Sequence, residues 1–221
     1  MELPISPGGP GLAAGTLVTT PNGDKKIEEV VAGDLILSGI GNGKTDFYTV
    51  GKAMSKTYSG PMIDISIDSG NQFRATPNHI CFSSPRPKIS FEKDVMIVLF
   101  ERDEDGKITN YVYEVKNPYD FEKSHDIDSA EEIARRLLRR TGGGEIMRSA
   151  RFSEDPLQFM PATNLEVGME VPVIDEYVEQ QVITNITEEH YNGLIYNLNV
   201  PQSRNFAANG ILVHDSTRIS D

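Results

Sequence analysis

The sequence predicts a mainly β domain with pseudo-twofold symmetry, interrupted once by a small α/β insertion. Three observations carry that expectation. Two stretches of the chain superimpose without a gap, both alternate apolar and polar residues with the period of a half-buried strand, and a segment of different character lies between them.

The first copy is YSGPMIDISIDSGNQFRATPNHI (residues 58–80) and the second is YNGLIYNLNVPQSRNFAANGILV (residues 191–213). In this overlay Tyr58 meets Tyr191, Gly60 meets Gly193, Asp64 meets Asn197, Ile65 meets Leu198, Ile67 meets Val200, Phe73 meets Phe206 and Ala75 meets Ala208. The match reaches upstream, where IEEVVAGDLIL (27–37) parallels ATNLEVGMEVP (162–172), with Val30 opposite Leu165 and Gly33 opposite Gly168. Chance likeness of two hairpins is the competing explanation. Turn signals at Pro21-Asn22-Gly23, Ser69-Gly70-Asn71 and Pro201-Gln202-Ser203 make the pairing antiparallel. Each copy exposes one apolar face, so the two halves are expected to cover each other.

Between the copies, DVMIVLFERDEDGKITNYVYEV reads as a hairpin turning at Glu104-Asp105-Gly106 or as strands joined by a longer loop. SAEEIARRLLRR reads as a helix with Ser129 as N-cap, Glu132 completing a capping box, Ile133 and Leu137 on one face, and the glycines after Thr141 ending it. Arg135, Arg136, Arg139 and Arg140 suit the negative end of the helix dipole, which is simpler than a nucleic-acid contact.

Bulk properties narrow the function classes. A net charge of −12 over 221 residues opposes general affinity for nucleic acid or anionic membrane, so neither partner is expected. The one cysteine, Cys81, rules out an internal disulfide framework and any multi-cysteine metal site, and it sits on an apolar alternation as a small packed hydrophobe. Neither metal nor cofactor is expected. MELPISPGGP lacks the basic and apolar regions of a signal peptide, and no apolar run reaches membrane-span length, so a cytoplasmic monomer is the expectation. His125 and His190 lie in charged surroundings and read as solvated.

The chemically informative stretch is RNFAANGILVHDS (204–216). An Asn followed by Ser, Thr or Cys can break its own C-terminal peptide bond through its side-chain amide, helped by a preceding His. Here His214 is followed by Asp215 in the place of that Asn, then by the hydroxyl of Ser216.

At this point the sequence resembles the intein family, the self-splicing members of the Hint fold. Four blocks carry the resemblance in order: GLAAGTLVTTPNGDKKIEEVVAGDLILS (11–38), FRATPNHI (73–80), LIYNLNVPQSRNFAANG (194–210) and ILVHDS (211–216). The resemblance implies a single-turnover, autocatalytic acyl transfer in which the flanking exteins are the substrate. Thr76 and His79 would polarise the peptide bond entering the domain, with His79 hydrogen-bonding its amide nitrogen. His214 would assist release at Asp215, and Ser216 would receive the upstream segment as an ester. Asn78, Arg204 and Asn197 are possible supports.

Departures from the family pattern bear on mechanism. Gly11 stands where a nucleophilic Cys or Ser is usual, so the usual first acyl shift is impossible and splicing is expected to be impaired. Either Gly11 replaces a nucleophile to keep a precursor intact, or Ser216 attacks the upstream bond directly. Asp215 has no amide nitrogen for a succinimide, and closure through oxygen would give a strained anhydride. A natural and an introduced aspartate both remain open. Arg204 and Asn197 stand where His and Asp are frequent; Arg cannot shuttle protons at neutral pH but can hold an oxyanion or a carboxylate.

The expected organisation is an N-extein remnant at 1–10, Hint halves at 11–82 and 157–215, the insert at 83–156, and a C-extein remnant at 216–221. Two other functions fit less of the sequence: a Hint domain that cleaves without ligating, and a non-catalytic binding module acting through the insert.

Overall fold

In the computed structural model of the chain, the described residues are 9–41, 43–84, 95–102, 108–115, 120–124, 132–133, 135–136, 139, 145–150, 152 and 157–215. Period-2 alternation in the first copy becomes strands β1 (Leu12–Ala13), β2 (Leu17–Thr20), β3 (Gly23–Lys26), β4 (Leu35–Gly41), β5 (Lys44–Thr49), β6 (Lys52–Ile67), β7 (Gln72–Ala75) and β8 (Ile80–Ser83). The intervening segment contributes β9 (Val95–Arg102), β10 (Ile108–Val115), β11 (Asp120–Ser124) and β12 (Glu145–Ala150). In the second copy come β13 (Leu157–Pro161), β14 (Glu170–Ile174), β15 (Val178–Asn199), β16 (Asn205–Ala208) and β17 (Ile211–His214).

The two longest strands, β6 and β15, pair antiparallel from Ile67 opposite Ile183 to Lys52 opposite Asn199. Their register places Ser59 opposite Asn192. These residues are also equivalents in the sequence overlay, one after Tyr58 and the other after Tyr191. A strand pair in which a residue faces its own repeat equivalent has a local twofold axis between them, so the repeat is a spatial symmetry.

The upstream match follows the same axis. A 3₁₀ turn at Ile27–Glu29 has its counterpart at Ala162–Asn164. The Gly33 N–H donates to the Val50 carbonyl, and the Gly168 N–H to that of Ile183, both at 2.8 Å. Gly33 and Gly168 have φ of 96° and 90°, a left-handed conformation that explains glycine at both places. Even the short opening strands divide evenly: Leu12 of β1 pairs with Ala75 of β7, and Val18 of β2 with Ala208 of β16.

One apolar cluster collects the matched pairs Val30 and Leu165, Ile65 and Leu198, Ile67 and Val200, Phe73 and Phe206, and Ala75 and Ala208, all buried. Cys81 packs in the same cluster, and burial pushes its thiol pKa upward. The pairing of β8 with β13, Phe82 opposite Phe159, lets the chain leave and return side by side. Through β12 on β13, and β9 parallel to β12, the intervening strands extend the same sheet. β9 and β10 form an antiparallel pair, while the expected turn at Glu104-Asp105-Gly106 and most of the expected helix lie outside the described residues. Glu132, Ile133, Arg135, Arg136 and Arg139 are helical, and the three arginines are exposed. Among the described residues no helix is long and apolar enough to cross a membrane.

A buried amide joins β16 to β4. Asn205 accepts the Gly39 N–H at 2.7 Å and donates to the Gly39 carbonyl at 3.0 Å and the Ser203 carbonyl at 2.7 Å. Truncating it strands both Gly39 backbone groups away from water, and each such group costs about 1–3 kcal/mol. Asn205→Ala is therefore expected to lower unfolding free energy by about 2–4 kcal/mol, read by urea denaturation.

Candidate active site

The strand that runs into the Thr76–His79 motif, β7, positions the first half of the site. Thr76, buried at the end of β7, brackets Gly11: the Gly11 N–H donates to Thr76 Oγ1 at 2.9 Å, and the Thr76 N–H donates to the Gly11 carbonyl, also at 2.9 Å. The repeat holds a twin of this bracket. Asn209, the equivalent of Thr76, accepts the Leu17 N–H through Oδ1 and donates its own N–H to the Leu17 carbonyl, both at 2.7 Å. In one copy the device anchors an ordinary strand. In the other it holds Gly11 and with it the Pro10–Gly11 peptide unit, just before β1.

The carbonyl on the upstream side of that unit has its own donor. Asn197 Nδ2 donates to the Pro10 carbonyl at 3.2 Å, while its Oδ1 accepts the Leu198 N–H at 2.8 Å, which fixes the direction of the amide. Its repeat equivalent, Asp64, is instead bound to Arg74. Arg74 is matched by Ala207, which has no side-chain polar group to offer Asn197, so the second-copy amide reaches the Pro10 carbonyl. Thr76 Oγ1 in turn donates to Asn78 Oδ1 at 2.9 Å.

His79 departs from its expected role. Its side chain is fully buried, and its ring nitrogens have no hydrogen-bond partner among the described residues. The amide nitrogen it was expected to hold, that of Gly11, is bonded to Thr76. Loss of hydration without a compensating partner disfavours the imidazolium and pulls the His79 pKa down to about 4. The ring is neutral at pH 7.

Gly11 has no room for a side chain in this packing. A Cβ there would lie 2.9 Å from both Cβ and Cδ1 of Ile195.

The second half of the site surrounds Asp215, whose side chain is fully buried. Its Oδ2 accepts the Val200 N–H at 2.9 Å and Asn199 Nδ2 at 3.1 Å. Arg204 Nε lies 3.3 Å from Oδ1, and His214 Nδ1 lies 3.8 Å from it. His214 packs edge-on against Phe159, with ring centroids 5.1 Å apart. Ser216 lies outside the described residues. The two halves meet on β15: Asn197 and Asn199 are alternate residues and so share a strand face about 7 Å apart, one on the Pro10 carbonyl and the other on Asp215.

The structure thus gathers Gly11, Thr76, Asn78 and Asn197 at one end, and Arg204, His214 and Asp215 at the other, while the His79 ring nitrogens have no hydrogen-bond partner among the described residues. Sequence reasoning missed Asn199 and the Val200 amide. Asn199 lay two residues beyond Asn197 on the period-2 pattern, whereas a backbone donor leaves no sequence signal. His190 is exposed, and His125 lies outside the described residues. Among the described residues no group of three or more His, Cys, Asp or Glu could hold a metal ion.

Two predictions follow from the bracket and from His79. Thr76→Val orphans the Gly11 N–H and Asn209→Ala orphans the Leu17 N–H, so each is expected to cost about 1–3 kcal/mol in denaturant unfolding, but only Thr76→Val should alter chemistry at Gly11. Between its unfolded pKa near 6.5 and its folded value near 4, His79 binds a proton only when the chain unfolds. Its contribution is therefore fully present above pH 6.5 and lost as pH falls toward 4, by on the order of 3 kcal/mol. Denaturant stability measured across that window should fall in the parent and flatten in His79→Phe.

The chain is similar to known proteins over most of its length. The family model described as "Intein splicing domain" matches residues 18–215. Among solved structures, the PabCDC21-1 intein is similar with a TM-score of 0.56 and 18% identity, covering 93% of this chain and 98% of that one. The gp41-1 intein gives a TM-score of 0.52 and 17% identity over 94% and 99% of the two chains. A bacterial intein-like domain from Clostridium thermocellum gives 0.53 and 15% over 93% and 98%. No curated protein sequence matches significantly. At these identities the structural matches show the Hint fold, and the family model covers most of the chain: the protein belongs to the intein splicing domain family, with protein splicing as its general function.

Proposed function

We propose that this chain is an intein precursor whose substrate is its own flanking segments, and that it begins splicing by direct attack of Ser216 on the Pro10–Gly11 bond. The observation that carries this reading is the grip on that one peptide bond: Asn197 donates to the Pro10 carbonyl and Thr76 holds the Gly11 nitrogen. A donor at 3.2 Å from the carbonyl oxygen is placed to hold the oxyanion that forms when a nucleophile adds. Gly11 supplies no nucleophile, and Ile195 fills the space where a side chain would begin.

In the proposed first step a bond forms from Ser216 Oγ to the Pro10 carbonyl carbon and the carbon–nitrogen bond to Gly11 breaks. The hydroxyl proton ends on the released Gly11 amine, and the upstream flank becomes an ester on Ser216. Release at Asp215 then requires closure of a carboxylate oxygen on the Asp215 carbonyl carbon. The electron pair leaves with the Ser216 nitrogen, which takes a proton from water or His214, and water reopens the anhydride. An oxygen-to-nitrogen acyl shift at Ser216 completes a normal peptide bond.

Intact mass spectrometry on the chain carrying longer flanks tests this. A species equal to the joined flanks is expected in the parent and absent in Ser216→Ala, while Asn197→Ala is expected to slow joining by about 10²-fold. Separate flanks with no joined product would replace splicing by cleavage alone. An unchanged precursor would leave a binding module acting through the insert. Gly11→Ala is expected to destabilise the fold by about 1–3 kcal/mol, because the new Cβ must displace Ile195.

A further inference from the structure

We propose that the pocket around residue 215 is specific for a carboxylate, with Arg204 as the positioning residue that sets aspartate rather than asparagine at this junction. The inference concerns the pocket itself, and only its consequence for release rests on the splicing reading.

Three nitrogen groups face the Asp215 carboxylate, and they differ in whether they can reverse their polarity. Asn199 can rotate its amide and present either oxygen or nitrogen, so it does not choose between aspartate and asparagine. The other two cannot. The Val200 backbone N–H donates to Oδ2 at 2.9 Å, and Arg204 Nε makes an ion pair with Oδ1 at 3.3 Å that is not a hydrogen bond. Neither group can accept a hydrogen bond. A carboxylate offers an acceptor to each; a carboxamide, whichever way it is turned, points its NH₂ at one of them. The side chain is fully buried, so water cannot relieve the mismatch within the pocket.

The backbone around the pocket is closed on residue 215. The Arg204 N–H donates to the Val200 carbonyl at 2.9 Å, the Asp215 N–H donates to the Arg204 carbonyl at 3.1 Å, and the Val200 N–H returns to the Asp215 side chain. Five residues, 200–204, thus wrap around one carboxylate. Arg204 holds φ of 58°, a left-handed conformation that glycine would adopt without strain. An arginine kept in that conformation, with its guanidinium laid on the buried carboxylate, is explained by its side chain rather than by its backbone. Burying a carboxylate also demands a partner, and Arg204, charged at any ordinary pH, lies 3.3 Å from Oδ1, nearer than His214 Nδ1 at 3.8 Å.

A double-mutant cycle on the full chain decides the matter: parent, Asp215→Asn, Arg204→Gln and the two combined, with Arg204→Lys as the charge-conserving control. Thermal midpoints are the first readout. Asp215→Asn alone is expected to lower Tm by about 4–8 °C, and by no more than about 2 °C in the Arg204→Gln background, with Arg204→Lys closer to the parent than Arg204→Gln. Equal effects of Asp215→Asn whatever stands at 204, including loss of the fold in both backgrounds, would overturn the proposal. Release of the C-terminal flank, read by intact mass, is the second readout. Freed from the mismatch, the combined variant is expected to release its flank about tenfold faster than Asp215→Asn alone. A coupled cycle with no release in any variant would retain the carboxylate pocket and remove the splicing reading.

Discussion

The register of β6 against β15 is the constraint from which the other positions follow. With Ser59 facing Asn192, each repeat equivalent lies across the axis from its twin, and the apolar residues of both copies are brought into one cluster. A slip by one residue would turn the inward side chains of a strand outward, so burial of Ile65, Ile67, Leu198 and Val200 fixes the register as firmly as the backbone bonds do. The same register carries Asn197 and Asn199 to the place where the chain enters the domain and the place where it leaves.

Duplication gives a physical account of how such a site is made. The bracket that Asn209 forms on Leu17 and the one that Thr76 forms on Gly11 are a single device used twice. Holding a strand residue by its N–H and its carbonyl stabilises a sheet. Holding Gly11 by the same two groups fixes the residue that follows the Pro10–Gly11 bond, because neither its N–H nor its carbonyl is free to turn. A small asymmetry separates the two copies: Asp64 is bound to Arg74, whereas Asn197, whose matching partner position is Ala207, reaches Pro10.

Burial assigns different tasks to the ionisable groups. His79 is buried without a charged partner and is therefore neutral at pH 7, whereas Asp215, equally buried, lies against an arginine and two further donors. The histidine named by the motif makes no hydrogen bond to the Gly11 nitrogen, which Thr76 holds, and the aspartate that looked like a chemical defect is held through Oδ2 by two donors, with Arg204 and His214 beside Oδ1. The strand pair β8 and β13 explains why a long intervening segment is compatible with this arrangement: its ends leave from neighbouring strands, and the closure of the core does not pass through it.

Much of this was legible in the amino-acid order. The repeat located the symmetry, period-2 alternation located the strands, and paired Gly33 and Gly168 marked turns that only a left-handed residue could make. Thr76, His79, His214 and Asp215 stood out because side-chain chemistry follows from residue type. The sequence by itself determined the fold class and named most of the polar side chains that the two sites gather, since burial and backbone conformation depend on local composition and periodicity. Only the tertiary structure decided who holds whom: that Thr76 rather than His79 takes the Gly11 nitrogen, that Asn199 and the Val200 amide line the Asp215 pocket, and that Arg204 turns to meet it. Those contacts join positions far apart in the chain, many through backbone groups that every residue possesses, and so no residue type announces them.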